Sequence, residues 1–242
     1  MTTKPTPLQL TRAFTVVSGG PVLLALAATV APVAALRRWP SRAGGETVRR
    51  TAWAATAAGL ALPWVYAGLV RPWLQHWGST PEERRRRFPG DGTGSPLSVA
   101  TRAVTIHAPA EEVWRWLVQI GQDRGGFYSY DWLENVAGCE LRTATRVHPE
   151  WQEVRPGDPL VLFPGVATRF AEVDPPHALV IEGWGAYVVE PAGDGWCRLV
   201  ARSHVDREPR ALAYYLGIEL PHGVMERRML LGIKQHAETL PL

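Results

Sequence analysis

Residues 103–114, with the sequence AVTIHAPAEEVW, join the end of a strand to the start of a helix. Before the proline, Val99–His107 alternates between apolar and polar residues and is rich in β-branched side chains, which predicts a strand. Pro109 and the two glutamates that follow it are typical of the first turn of a helix. An apolar helix face is then predicted by residues at helical spacing: Val113, Leu117 and Ile120.

Five more strands are predicted downstream, because short apolar segments alternate with turns rich in Pro, Gly and Asp. These segments are Pro159–Phe163, Arg169–Val173, Ala178–Trp184, Ala186–Glu190 and Trp196–Asp206. The last segment has one face that runs from Cys197 through Leu199 and Ala201, and an opposite face that carries charged residues. We expect the first face to meet the core and the charged face to meet water.

Two helices complete this pattern. A short helix is predicted at Tyr130–Ala137, and a long one at Ala211–Thr239 with an interruption at Pro221. The order is strand, two short helices, a run of antiparallel strands and a long C-terminal helix. This order predicts an α+β domain of the helix-grip type, in which a curved antiparallel sheet wraps around the long helix and leaves a cavity between them. We assign this domain to residues 97–242.

The N-terminal residues 1–77 are predicted to form a membrane anchor. Thr15–Leu36 and Thr51–Val70 contain no charged residue and are rich in Leu, Val and Ala. Each segment is about 20 residues long, which at about 1.5 Å per residue matches the ~30 Å hydrocarbon core of a bilayer. They therefore predict two transmembrane helices. Two alternatives stay open: both segments are buried helices of a soluble protein, or the first is a cleaved signal peptide.

Arginines crowd the ends of both segments, as is typical beside membrane spans. A helical hairpin puts the N-terminal tail and the C-terminal domain on one side, and the basic residues on the two sides are then nearly balanced. We place the chain in the bacterial cell membrane as a multi-pass protein, with the C-terminal domain in the cytoplasm. The clustering also accounts for the net charge of +3 without a nucleic-acid partner.

Residues 78–96 are predicted to be a charged linker rich in Gly and Pro. Ser79 or Thr80, followed by Pro81 and two glutamates, predicts the start of a short helix. Glycines and prolines then end it. The run Arg84–Arg87 is expected to touch anionic lipid headgroups.

The stretch 103–114 resembles the opening of START-like, or SRPBCC, domains, which include the polyketide cyclase/dehydrase, Bet v 1 and lipid-transfer branches. Their first strand typically ends in an apolar-x-Ala-Pro-x-x-x-Val-Trp pattern. Residues 122–135, QDRGGFYSYDWLEN, and 225–234, MERRMLLGIK, are similar to an uncharacterised, membrane-tethered bacterial subgroup of this superfamily. The resemblance covers residues 98–239. It implies the helix-grip fold and a hydrophobic ligand cavity, and it does not imply one reaction.

The densest polar cluster of the predicted domain lies within residues 122–135. Arg124, Tyr128 and Tyr130 would supply a charged fork and phenolic donors for the polar end of a ligand. Gly125-Gly126 would allow a tight turn or the close approach of a ligand to the backbone.

A structural interpretation of the same cluster stays open. Asp123, Arg124 and Asp131 would then form an internal network of ion pairs where the two short helices meet. Ser129 or Asp131 would cap the second helix.

Four large aromatic residues are predicted to line the hydrophobic cavity: Trp132, Trp151, Trp184 and Tyr187. A concave site with an aromatic lining is what a hydrophobic ligand requires. The alternative is that these side chains simply fill the core.

Several kinds of chemistry find no support in the sequence. No two of the seven histidines have the i, i+4 spacing of a helical metal site. A Gly-x-Ser-x-Gly motif, a dinucleotide-binding glycine motif and a phosphate loop are all absent. We therefore predict no metal, no cofactor and no nucleic-acid partner. Cys139 and Cys197 are expected to be buried thiols.

These observations favour a membrane-tethered domain that binds or transfers a lipid or another hydrophobic small molecule. One alternative is a cyclase or dehydratase, in which Asp123 or Asp131 is the base and Tyr128, Tyr130 or Arg124 stabilises an enolate. Another is a scaffold module whose cavity is filled. The first needs an open apolar cavity, the second a carboxylate that faces the cavity, and the third an interior packed with aromatic side chains.

Overall fold

A computed structural model describes residues 45–92, 96–136, 138–207 and 214–239. The first predicted transmembrane segment, Thr15–Leu36, lies outside these residues. Within them, the chain forms one apolar helix at the N-terminal side, followed by an α+β domain.

The domain is built on a six-stranded antiparallel sheet with the strand order β1-β6-β5-β4-β3-β2. The first strand of the domain therefore pairs with the last, while the others follow one another as hairpins. The strands are β1 Ser98–Ile106, β2 Pro159–Phe163, β3 Val166–Asp174, β4 Ala178–Ile181, β5 Gly185–Gly193 and β6 Trp196–Val205. This arrangement confirms the predicted α+β class and its curved sheet.

Most helices of the described chain lie where they were predicted, whereas Arg71–His76 and the short turn Pro149–Trp151 were not predicted. The helices are α1 Gly45–Val65, a π-helical segment Tyr66–Val70, α2 Arg71–His76, α3 Pro81–Arg85, α4 Ala110–Leu117, α5 Asp131–Val136, a 3₁₀ turn Pro149–Trp151, a second π-helical segment Tyr214–Ile218 and α6 Glu219–Glu238. The expected interruption at Pro221 is wrong. Pro221 is the third residue of α6, where a missing backbone N–H breaks no hydrogen bond within that helix.

The core lies between the inner face of the sheet and the helices α4 and α6. Ile106 and Leu199 of the sheet, Val113 and Leu117 of α4 and Ile233 of α6 are all fully buried there. The i, i+3, i+4 spacing of apolar residues in α4 and the alternation in the strands place these side chains on one side, so burial of apolar surface stabilises the two layers against each other.

The outer face of the sheet is covered by residues 79–91. Thr80 begins α3 with a capping box, since its hydroxyl accepts from Glu83 N and the Glu83 carboxylate accepts from Thr80 N. Phe88 is buried on a second apolar cluster on this face. The predicted helix start is confirmed, and the arginine run that follows it contacts the domain itself, since Arg86 pairs with Glu190.

The charged face of β6 is therefore not exposed to water, contrary to the sequence-based expectation. Arg198 pairs with Glu83, and Arg202 with Asp91, each at 2.9 Å. Charged residues on the outer face of this sheet are consistent with a protein cover because ion pairs with residues 79–91 replace their hydration.

The α1 helix, the π-helical segment and α2 run on without a break as a helix of 32 residues, Gly45–His76, which we call the anchor helix. It is long and apolar enough to cross a membrane, and only 12% of its most apolar window is buried. It contains the predicted second segment, Thr51–Val70. Because Thr15–Leu36 is outside the described residues, the prediction of two transmembrane helices is supported for one helix only.

Candidate functional site

The interior of the domain contains a buried ion pair. The alternation of β1 puts Arg102 on the same face as Val104 and Ile106, so its side chain points at α6, and it is 1% exposed. The Arg102 guanidinium pairs with Glu226 of α6, and its Nε donates to the carbonyl of Leu74 in the anchor helix at 2.6 Å. The ion pair thus links the sheet, the last helix and the end of the anchor helix.

Two further side chains extend this pair into a polar cluster. The hydroxyl of Tyr187 on β5 donates to Glu226 Oε1 at 3.2 Å. His222, one turn before Glu226, shares a 2.8 Å hydrogen bond with the Tyr214 hydroxyl through Nδ1. Its Nε2 lies 3.5 Å from Glu226 Oε1 but is buried without a hydrogen-bond partner. The Trp184 ring packs edge-on against His222, with 4.6 Å between the ring centroids.

The charges of the cluster are fixed by its surroundings. Burial alone would raise the pKa of Glu226, but the nearby Arg102 guanidinium and His222 outweigh burial and lower this pKa to about 2. Burial and the neighbouring Glu226 carboxylate raise the pKa of Tyr187 well above its usual value. Glu226 is therefore an ionised acceptor and Tyr187 a neutral donor across the physiological range. Such a cluster can orient a polar group by hydrogen bonds, whereas Glu226 holds no proton to give near pH 7.

A groove of about 410 Å³ lies where the anchor helix meets α6. Its lining residues are Tyr66, Ala67, Arg71, Leu97, Tyr215 and Glu219. Glu219 is buried and accepts hydrogen bonds from Arg71 Nε at 2.9 Å, Gln75 Nε2 at 3.0 Å and the Tyr66 hydroxyl at 3.1 Å. The groove is open rather than enclosed, so a ligand in it would keep one side exposed to its surroundings.

The groove and the polar cluster adjoin each other along α6. Glu219, His222 and Glu226 recur at i, i+3 and i+7, which places them on one helix face. On the same face, the C-terminal half of α6 carries the apolar core residues Leu230 and Ile233. The inner face of α6 therefore changes from polar near the anchor helix to apolar at the other end.

A second pocket of about 400 Å³ lies at the edge of the sheet formed by β2 and β3. It is lined by Gly157, Pro159, Ala167, Thr168, Arg169 and Glu182. Both pockets lie outside the space between the sheet and α6, where the described side chains pack as a core. Neither of these two pockets is the interior cup expected for a helix grip, which stays a prediction.

Two of the predicted ligand residues, Trp184 and Tyr187, belong to the polar cluster. Three others lie together elsewhere, beside β3. Arg124 donates to the Trp151 carbonyl at 2.5 Å, and its guanidinium lies 6.0 Å from the Phe170 ring centroid. Burial lowers the pKa of Arg124. The Tyr128 hydroxyl accepts a 2.6 Å hydrogen bond from Gln119, and burial raises the pKa of Tyr128.

The remaining two predicted residues join neither group. Trp132 is 67% exposed, so it does not line the interior, which corrects the expected placement in a cavity. Tyr130 is half-buried, and its carbonyl accepts hydrogen bonds from the backbone N–H groups of Leu133 and Glu134 at the start of α5. The ligand-binding roles of all seven residues stay predictions.

The acidic residues of the predicted polar cluster have structural or solvent contacts. Asp131 accepts hydrogen bonds from the Thr143 backbone N–H at 2.9 Å and from the Thr143 hydroxyl at 2.5 Å. Asp123 is exposed. Gly126 has a φ of +72° and pairs with Gly121 in an isolated bridge, so the glycine pair serves a turn. These contacts favour the structural interpretation of residues 122–135, although Arg124 bonds to a carbonyl rather than to Asp123 or Asp131.

Sequence reasoning missed three members of the cluster, namely Arg102, His222 and Glu226. A signal was present for each. Arg102 interrupts the apolar face of β1, which a charged residue does only with a buried partner or at a bend. His222 and Glu226 lie in register with Leu230 and Ile233, so the helix places them on the buried face.

Both cysteines, Cys139 and Cys197, are free and buried, as predicted. The described residues contain no group of three or more His, Cys, Asp or Glu side chains placed to hold a metal ion.

The antiparallel sheet gripping a C-terminal helix, with a polar cluster on the inner face of that helix, defines a START-like domain. Residues 99–238 match the family described as polyketide cyclase / dehydrase and lipid transport. This match covers more than half of the chain, and the protein belongs to this family, as the resemblance of residues 103–114 predicted.

Other comparisons add little. No curated protein matches the chain. Among solved structures, the chain is similar to the solution NMR structure of the Polyketide_cyc-like protein Cgl2372 from Corynebacterium glutamicum, with 14% sequence identity over 57% of this chain and 89% of that one. The TM-score of 0.28 is too low for this likeness to carry an argument.

Proposed function

We propose that the protein is a membrane-associated START-like domain that binds a lipid or another amphiphilic small molecule. The apolar part of the ligand would lie in the groove between the anchor helix and α6, and its polar group would be directed towards the buried cluster. The observation that carries this proposal is the position of the groove, because it adjoins both an apolar helix and a set of buried hydrogen-bonding groups.

The polar cluster has an unmet hydrogen-bonding capacity. The buried Nε2 of His222 has no well-formed hydrogen bond, since its nearest acceptor, Glu226 Oε1, lies 3.5 Å away. A ligand hydroxyl or carboxylate would supply a closer partner. Tyr214, which is hydrogen-bonded to His222, directly precedes Tyr215 of the groove, so one ligand would be able to contact both places.

The membrane part of the proposal rests on the anchor helix. Exposed apolar side chains surround it, including Trp53, Leu60, Trp64 and Leu69, and a bilayer would remove this surface from water. The two-span anchor, the multi-pass topology in a bacterial cell membrane and the cytoplasmic position of the domain are parts of the same proposal. A tether of this kind would keep the groove beside a solvent in which amphiphiles accumulate.

The alternative of a cyclase or dehydratase finds less support. Its proposed bases are Asp123, which is exposed, and Asp131, which is engaged by Thr143. Two buried carboxylates lie at or near the groove. Glu226 is held ionised by Arg102, and Glu219 is engaged by Tyr66, Arg71 and Gln75. No specific contact favours a catalytic role over ligand binding.

The proposal is tested by a matched pair of variants in the full chain, purified in mild detergent and analysed by lipid extraction and mass spectrometry. Leu97→Arg puts a charge at the mouth of the groove, where Leu97 is 46% exposed. Ala167→Arg makes the same kind of change in the second pocket. We expect co-purified amphiphile to be lost from Leu97→Arg and retained by wild type and by Ala167→Arg.

If the amphiphile is lost only from Ala167→Arg, the ligand binds in the second pocket, beside β3. Equal amounts of the same amphiphile in all three proteins would show that it is bulk lipid, which would contradict the proposed site. Circular dichroism of each variant establishes that the fold is intact.

A further inference from the structure

We propose that the N-terminal end of α6 lies in the headgroup region of the bilayer beside the anchor helix, so that the groove opens onto lipid rather than onto water. This inference rests on the proposed membrane association. It goes beyond a tether, because a tethered domain is free to stand away from the surface.

The contacts between α6 and the anchor helix fix the depth of α6. The Tyr66 hydroxyl donates to Glu219 Oε2 at 3.1 Å, and Arg71 Nε donates to Oε1 at 2.9 Å. Tyr66 precedes the last residue of the uncharged run Thr51–Val70 by four positions, or about 6 Å of helix. Gln75, which also donates to Glu219, lies five positions beyond the end of this run. The first residue of α6 therefore lies level with the end of the uncharged run.

The charge of Glu219 is compatible with this depth. Its side chain is 5% exposed and is surrounded by the donors of Tyr66, Arg71 and Gln75. A carboxylate at a membrane interface requires such partners, because lipid offers it none.

The outward face of α6 near the anchor helix is apolar and exposed. Leu220 and Val224 are 37% and 38% exposed and lie four residues apart, and Ile218 immediately before α6 is 36% exposed. Apolar side chains at i and i+4 form a stripe on one helix face. Exposed apolar side chains are common on protein surfaces, so the position of this stripe beside the anchor helix is what matters.

Arg227 links this stripe to the aromatic residues at the end of the anchor helix. It follows Leu220 and Val224 on the same helix face, and its guanidinium lies 5.7 Å from the Trp73 ring centroid and 4.7 Å from that of Trp77. Trp73 is 53% exposed. Tryptophan and arginine together at the end of an apolar span are typical of the level of the lipid headgroups. The bilayer is therefore the occupant that this surface fits.

A nitroxide at position 224 tests the inference in the full chain, reconstituted in vesicles of phosphatidylcholine and phosphatidylglycerol. Val224→Cys supplies the attachment point. The native thiols are buried, and burial raises the pKa of Cys139 to about 12 and that of Cys197 to about 11, so neither competes for the label. Leu62→Cys on the exposed face of the anchor helix and Asp194→Cys in the exposed turn between β5 and β6 are the two reference positions.

Collision rates with oxygen, which concentrates in lipid, and with a water-soluble nickel chelate are measured by power-saturation electron paramagnetic resonance. We expect the oxygen-to-nickel ratio at 224 to exceed that at 194 and to shift towards the value at 62. If the label at 62 is in lipid but the oxygen-to-nickel ratio at 224 equals that at 194, the docking of α6 on the bilayer is overturned. The membrane association of the anchor helix is then unaffected. Shielding from both reagents, or spin–spin broadening, would assign the stripe to protein, including a second copy of this chain. A label at 62 in water would refute the membrane association itself.

Discussion

The side chains of Arg102 and Glu226 are each 2% exposed, and each is the main compensation for the burial of the other. Removing two charges from water costs several kcal/mol per ion, so a buried ion pair adds little net stability over an apolar pair of similar volume. Removing only one partner leaves an uncompensated charge in the core. The pair therefore fixes how α6 sits on β1 more than it raises the free energy of unfolding.

We predict that Glu226→Leu or Arg102→Met lowers the free energy of unfolding by about 3–5 kcal/mol, and that the double variant Arg102→Met/Glu226→Leu recovers most of this loss. The measurement is a urea titration in mild detergent. Disruption of the exposed pair Arg115–Glu112 is the control and should cost at most about 1 kcal/mol. A loss in the double variant equal to the sum of the two single losses would contradict the interpretation.

Glu134 carries a second prediction at this scale. It is buried, with one carboxylate oxygen lacking a hydrogen-bond partner, and burial followed by the nearby Asp131 raises its pKa to about 7. The folded state therefore binds a proton between about pH 4.5 and pH 7 that the unfolded state releases, so stability falls as the pH rises through this window.

Glu134→Gln should therefore raise the melting temperature more at pH 8 than at pH 5. Circular dichroism melts in detergent at both values make this measurement. An equal change at both pH values would show that Glu134 does not titrate as its surroundings indicate.

Residue roles were harder to predict than residue environments. Burial of Cys139 and Cys197 followed from their chemistry alone, whereas the partner of Arg102 lies 124 positions away on α6. An alternating strand pattern identifies the face on which Arg102 lies, but the pairing of β1 with α6 depends on the complete fold. The aromatic residues illustrate the same limit, since Trp184 reaches the cluster and Trp132 does not.

Among the elements, residues 79–91 differ most from their sequence-based description. Their Gly, Pro and Arg content is typical of a linker, yet Phe88 packs on the sheet and the acids Glu83 and Asp91 pair with β6. The boundaries of the linker, 78–96, and of the domain, 97–242, stay predictions. The contacts indicate that the sheet uses these residues as its outer cover.

Phe88→Ala should lower the free energy of unfolding by about 3–5 kcal/mol, as is usual for the removal of a buried aromatic side chain. Trp132→Ala removes a larger side chain that is 67% exposed and should have a much smaller effect. Urea titrations of the two variants test the comparison. Equal losses would mean that residues 79–91 are only a connection between the anchor helix and the domain.

The strands and helices were predicted well because their signals are local. Turns rich in Gly and Pro separate the strands, and β2 has the predicted bounds, Pro159–Phe163. The prediction at Pro221 was wrong because a proline inside a helical pattern usually indicates a break. Here α6 begins only at Glu219, so Pro221 lies in its first turn, where a proline is tolerated.

At the scale of the whole molecule, the sequence predicted the family and the layered architecture, whereas the place of the ligand depends on packing. An interior cup is the general expectation for a helix grip, whereas the groove beside α6 includes the anchor-helix residues Tyr66 and Arg71. A site formed by two segments about 150 residues apart has no signature in either one. In the proposed function, the anchor helix is both a membrane element and one wall of the site.

Native mass spectrometry of the full chain released from lipid nanodiscs tests the central claim most directly. Amphiphile binding at the groove predicts a population that keeps one amphiphile molecule at collision energies that strip loosely attached lipid. A protein that reaches its bare mass as soon as the surrounding lipid is removed would contradict the claim that this domain binds an amphiphile.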